Sequence, residues 1–172
     1  MKKAIIGMMV FWVLIGFSHA QKQHKALYGV AFYNLENLFD TIHNDGKNDY
    51  EYLPEGRNKW GTMKYMAKLK NLSRVISELA VDKVPEGPAV IGVSEVEDRC
   101  VLEDLLNQPA LADRGYKIEH YEGPDHRGID CALFYNPEFF QVDSSKLVPY
   151  VYLNKDTILS LIHISEPTRL LS

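Results

Sequence analysis

The stretch that most narrows the possible folds is "AVIGVSEV", residues 89–96, an apolar run from Ala89 to Val93 that then releases Ser94 and Glu95. A strand with one wet face alternates apolar and polar residues, whereas a continuous run suits a strand buried on both faces in a layered sheet. A carboxylate at the end of such a strand has to be paired, hydrated or bound to a cation, because an isolated buried charge is very costly. The run therefore predicts a central strand that carries Glu95 to the rim of a sheet.

The flanking segments supply the other layers. "LYGVAFYN" (27–34) reads as a strand, and the Asp-, Asn-, Gly- and Pro-rich residues 40–62 as a long loop. Met66, Leu69, Leu72, Val75 or Ile76, and Leu79 recur at helical spacing with lysines outside, predicting an amphipathic helix over 63–80. Residues 101–115 predict a short helix and a turn, and 116–123, 128–136 and 139–145 read as successive strands. This order predicts a mixed α/β sandwich with helices outside. At 172 residues and 46% apolar content, the chain fits one domain with a real core.

The ends read differently. "MKK", the apolar "AIIGMMVFWVLIGF" and "SHA" before Gln21 have the layout of a secretory signal peptide over residues 1–20. The run is shorter than the ~20 residues a membrane span needs, so a cleaved leader and a secreted or periplasmic destination are expected, with no membrane association afterwards. In an oxidising compartment Cys100 and Cys131 could pair, but Cys131 lies in an apolar strand pattern where a buried free thiol is as common. The net charge of −4 argues against a large, purely electrostatic nucleic-acid footprint, although a bound divalent cation can offset a local acidic cluster. At the other end, Leu159 to Arg169 looks like the translation of a transposase adapter used in sequencing libraries. The native chain is accordingly expected to end near Ile158, with 159–172 a non-native tail.

Three stretches could carry chemistry. In "FYNLENLFD" (32–40), strand alternation puts Val30, Phe32, Asn34 and Glu36 on one face, the apolar pair inside and the polar pair at the rim. An amide oxygen and a carboxylate so placed suit a hard cation such as magnesium; the same residues also suit a simple turn. In "IGVSEVED", Glu95 would reach the same rim, with Glu97 and Asp98 facing solvent. In "GPDHRGIDCALFYN", Arg127 could neutralise charge on a phosphate and Gly128 would permit a close backbone approach. Asp130 is either a paired core acid or a site residue, and His120 and His126 read as surface histidines.

Taken in order, "FYNLENLFD", "KLKNLSRVISEL", "IGVSEVED" and "HRGIDCALFYNP" resemble the endonuclease/exonuclease/phosphatase superfamily from Tyr28 to Phe140, and the insertion "NDYEYLPEGRNKW" is similar to that of exported bacterial members. The resemblance implies a four-layered α/β sandwich, like that of deoxyribonuclease I, and hydrolysis of a phosphoester with Mg2+ or Mn2+. It implies metal ligation by Glu36 and Glu95, a catalytic and substrate-contacting role for Asn34 and Arg127, and substrate contact at Gly128. The substrate would be nucleic acid or a small phosphoester, with no stable protein partner. The family's later Gly-Asp-x-Asn and Ser-Asp-His-like motifs do not occur here, and His163 falls in the adapter-like tail. Residues 21–158 are accordingly expected to be only the N-terminal half of such a domain, and the isolated chain is expected to be inactive and poorly soluble. A sugar, inositol or lipid phosphatase or phosphodiesterase on the same fold, or a non-catalytic secreted binding domain, would fit the same residues.

Overall fold

The computed structural model describes residues 26–151 and 158–163, and side chains as far as Val148. The leader-like residues 1–20 and most of the adapter-like tail lie outside the described residues. Among the described residues eight strands and α-helices follow one another, with two short 3-10 turns at Tyr50–Tyr52 and Ala112–Arg114 between them: β1 (Val30–Leu38), α1 (Thr62–Glu78), β2 (Val90–Val96), α2 (Arg99–Leu106), β3 (Lys117–His120), β4 (Asp130–Tyr135), β5 (Lys146–Val151) and β6 (Ile158–His163). The first four strands form one sheet in the order β1-β2-β4-β3, and β5 and β6 form a separate antiparallel pair. β1 and β2 are parallel, joined through α1, while β4 runs antiparallel to both β2 and β3. This is a mixed α/β fold.

That topology sends four chain ends to one rim. The C-terminal ends of β1, β2 and β3 and the N-terminal end of β4 meet there, with Val96 opposite Asp130 and His120 opposite Ala132. Below the rim, Ile91 and Val93 of β2 and Phe134 of β4 are fully buried, together with Leu69 and Ile76 of α1 and Leu102 of α2. The two helices are clasped by Tyr65, whose hydroxyl donates to Asp104 Oδ2 at 2.8 Å. Asp98 caps α2, accepting the backbone N–H groups of Cys100 and Val101, which would otherwise lack partners in the first turn.

Four expectations need correction. β2 is buried on one face only: Ile91 and Val93 are fully enclosed, whereas Val90, Gly92 and Ser94 on the other face are half-buried. Val30 and Phe32 share an exposed face rather than an apolar interior, with Phe32 70% exposed and its ring lying across Gly92, where a Cβ would come within 2.6 Å. In α1 the buried stripe uses Tyr65 rather than Met66, because the tyrosine can reach both the core and Asp104. Residues 139–145 are not a strand. Asn136 turns the chain by accepting the N–H groups of Glu138, Phe139 and Phe140, and the two phenyl rings then pack edge-on against Tyr28, so the next strand begins only at Lys146.

Candidate metal and phosphoester site

The rim is irregular where the candidate carboxylates emerge. Regular pairing of β1 with β2 runs to Asn34↔Ser94 and resumes at Leu38↔Val96, so three residues of β1 face the single Glu95 of β2. On its other side Glu95 is also skipped, between Ser94↔Cys131 and Val96↔Asp130. Glu36, Asn37 and Glu95 have φ of 52°, 58° and 58°, which makes them three of the five non-glycine residues in the left-handed region among the described residues. That conformation costs an L-residue roughly 1–2 kcal/mol, and such strain concentrates where a side chain must be aimed. Bulges of this kind re-aim side chains at sheet ends.

Asn34 does the local turning. Its Oδ1 accepts the Glu36 N–H at 2.6 Å, and the alternation of exposed and covered residues runs on through Glu36, so Asn34 and Glu36 lie on the exposed face shared with Val30 and Phe32 and the pattern breaks only beyond them. Lys68 of α1 reaches over to hold the distortion, donating to the carbonyls of Glu36 and Asn37 while its ammonium lies 5.4 Å from the centre of the Trp60 ring. Burial lowers the Lys68 pKa, and the charges of Glu36 and Glu95 oppose that shift. Lys68 therefore sits within electrostatic reach of both carboxylates. The periodicity placed it on the outer face of a helix, and no signal in the spacing singled it out.

Arg127 lies on the β3–β4 connection, mostly exposed, with its Nε and Nη2 on the two carboxylate oxygens of Asp125 at 3.2 and 2.9 Å. The Asp125 pairing raises the Arg127 pKa, with smaller help from Glu95, which places the guanidinium within range of the rim. Gly128 has φ 73°, and a Cβ there would press to 3.2 Å against Lys47. The close approach expected of Gly128 is thus made by the stem of Lys47, whose Nζ donates to the carbonyls of Gly123 and Asp125.

Two expectations about neighbouring residues are overturned. Glu97 is 3% exposed, not solvated: its Oε2 accepts the Asp40 N–H at 2.7 Å and its Oε1 the Asn44 side-chain amide at 3.0 Å. Burial pushes its carboxyl up to about 8, against the backbone hydrogen bond and with help from Asp40 and Asp98. His120 is not a surface residue either. Its side chain is 3% exposed, with Nε2 3.5 Å from Asp130 Oδ2 and Nδ1 3.9 Å from Glu122 Oε1. Asp130 is a buried acid whose Oδ1 accepts the Gly123 N–H at 2.9 Å. Cys100 and Cys131 are both free thiols.

A divalent cation fits the donor chemistry at Glu36 and Glu95. Among the described residues neither carboxylate accepts a hydrogen bond, and both project from strained backbone at one bulge between neighbouring strands. Hard oxygen donors of this type, leaving room for water, are what magnesium and manganese take.

A mixed α/β sheet gathers acid groups and two cationic side chains at one rim, an arrangement compatible with metal-dependent phosphoester hydrolysis, the class to which the family match assigns the chain. The chain belongs to the endonuclease/exonuclease/phosphatase family, whose profile matches residues 29–163. No curated protein and no solved structure matches the chain. Members of this family generally work with divalent metals.

Proposed function

We propose that the chain is the cation- and phosphate-binding part of a secreted phosphodiesterase, with an endonuclease as its leading form, in which Glu36 and Glu95 hold Mg2+ or Mn2+. The observation that supports this reading is the shared bulge, where Glu36 and Glu95 leave adjacent parallel strands with left-handed backbone and Lys68 binds the Glu36 carbonyl. Such an ion supplies Lewis-acid polarisation of the phosphate and a sink for charge on the leaving oxygen. The chain's own residues do the rest of the binding. Asn34, with Oδ1 engaged by Glu36, offers its amide hydrogens to a phosphate oxygen. Arg127, with Nε and Nη2 on Asp125, offers Nη1. Gly128 keeps the connection narrow enough for Lys47 to lie against it.

The motifs with which the family activates the attacking water do not occur in these 172 residues. On this reading turnover requires residues beyond these 172. Export by a leader at residues 1–20 belongs to the same reading. Among the described residues no helix is long and apolar enough to cross a membrane. The test uses bis-p-nitrophenyl phosphate with magnesium. The 172-residue chain should show no rate above buffer, and the product of the gene read past codon 158 should turn over. Turnover by the shorter chain, or none by the longer one, would contradict the proposal.

A second reading is supported by the charge at the rim. Asp40 and Asp98, half-buried beside the buried Asp49 and Glu97, make this end of the sheet acidic, and that charge disfavours a long polyanion more than a compact phosphoester. Comparing nucleotide release from DNA with phosphate release from inositol or sugar phosphates, using the longer product, separates a nuclease from a phosphatase.

A further inference from the structure

The β3–β4 connection closes on a cluster that the phosphoester site does not use. His120, Glu122 and Asp130 each offer one ligand atom, and the three atoms lie within 4.8 Å of one another. His120 and Asp130 have side chains only 3% and 1% exposed, while that of Glu122 is 60% exposed. His120 Nε2 is buried with no hydrogen-bond partner among the described residues, and it faces Asp130 Oδ2 at 3.5 Å. An unmet ring nitrogen in the interior is costly, and it faces a carboxylate at a spacing too long for a good hydrogen bond.

The spacing suits a different arrangement. Nitrogen and oxygen ligands each about 2.0–2.1 Å from a tetrahedral zinc ion are about 3.4 Å apart. The His120–Asp130 separation of 3.5 Å matches that edge as it stands. Glu122, the exposed member, is the one free to move the short distance needed to close the set. One imidazole and two carboxylates make a borderline donor set, better suited to zinc or cobalt than to magnesium, and a water completes four-coordination.

We propose that His120, Glu122 and Asp130 form a binding site for a zinc-class divalent cation, separate from the oxygen-donor site at Glu36 and Glu95. The ion pins both ends of the β3–β4 connection. Asp130 already takes the Gly123 N–H, and Lys47 already holds the carbonyls of Gly123 and Asp125, so the segment carrying Arg127 is fastened from two sides. The site stands on this geometry and does not depend on the hydrolase reading.

Cobalt(II) added to the chelator-treated 172-residue chain provides the test. The wild-type chain should develop the visible bands of four-coordinate cobalt, and zinc should displace them while shifting the 15N resonance of a histidine ring. His120→Gln should abolish both signals. Glu122→Gln, which alters an exposed side chain and leaves the core intact, should weaken binding at least tenfold. Glu36→Ala and Glu95→Ala should leave the bands unchanged, because no imidazole belongs to that site. Bands that survive His120→Gln, that vanish with Glu95→Ala, or that never form in a chain folded by circular dichroism would overturn the proposal.

Discussion

Glu97 Oε2 accepts the backbone N–H of Asp40 at 2.7 Å, which ties the residue following β1's exit to the first residue beyond β2. Its other oxygen takes the side-chain amide of Asn44, so one buried carboxyl fastens the long loop after β1 to the end of the central strand. With burial holding that carboxyl up to about 8, the folded chain retains a proton that the unfolded chain gives up in the ordinary carboxylate range. The folded state binds more protons between those limits, so its stability is greatest at the acid side and falls as pH rises towards 8. In chelator, urea midpoints should therefore fall between pH 5 and pH 8, and Glu97→Gln should flatten the slope. A midpoint that rises over this range in the wild-type chain would contradict the assignment.

Much of this fold could be read from the residues, and what could not has identifiable physical causes. The β1, α1, β2 and β4 segments were legible because their apolar patterns are long. The exposed face of Val30 and Phe32 was not, since alternation says which residues share a face and not which face is covered. Glu36 and Glu95 could be singled out as charges at strand ends, but the left-handed backbone that aims them is a property of pairing between strands and leaves no local mark. Lys68 and His120 escaped for a related reason. Each acts across the fold, one over 32 residues to Glu36 and the other across a hairpin to Asp130.

Lys68 is expected to matter for stability as well as charge. Replacing it with methionine keeps the stem over Trp60 and leaves the Glu36 and Asn37 carbonyls without their donor. Leaving partly buried acceptors unmet costs about 1–3 kcal/mol. Denaturant unfolding of Lys68→Met should show a loss in that range, and in the longer gene product the rate should drop further than the stability loss explains. A variant as stable as the wild type would mean that the bulge holds itself.

Cys100 is exposed, and exposure alone would make it a ready target for alkylation. Its sulfur is nevertheless held in the thiol form by burial first, then by the Asp98 contact and the nearby Asp40 and Glu97. Since the thiolate is the reacting species, iodoacetamide should modify it much more slowly at pH 8 than it does a free cysteine. In a Cys131→Ser background, Asp98→Asn should speed the reaction while still capping α2. Rapid labelling of the wild-type chain would refute this.

Glu95 lets strain and function be separated at a single position. It sits at φ 58°, where an L-residue is strained by roughly 1–2 kcal/mol and glycine is not. Glycine loses about 0.5–1 kcal/mol more backbone entropy on folding, so the net gain from Glu95→Gly should be up to about 1.5 kcal/mol. Glu95→Ala keeps the strained conformation and gains nothing of the kind. Both remove the carboxylate, so in the longer gene product both should lose at least a hundredfold in hydrolysis of bis-p-nitrophenyl phosphate. Thermal unfolding and rate measured on the two variants thus give a pattern that neither a packing role nor an idle surface residue produces: equal losses of rate with glycine the more stable. If Glu95→Ala proves as stable as Glu95→Gly, the left-handed backbone is not a source of strain. If either variant keeps the wild-type rate, the carboxylate has no part in holding the ion.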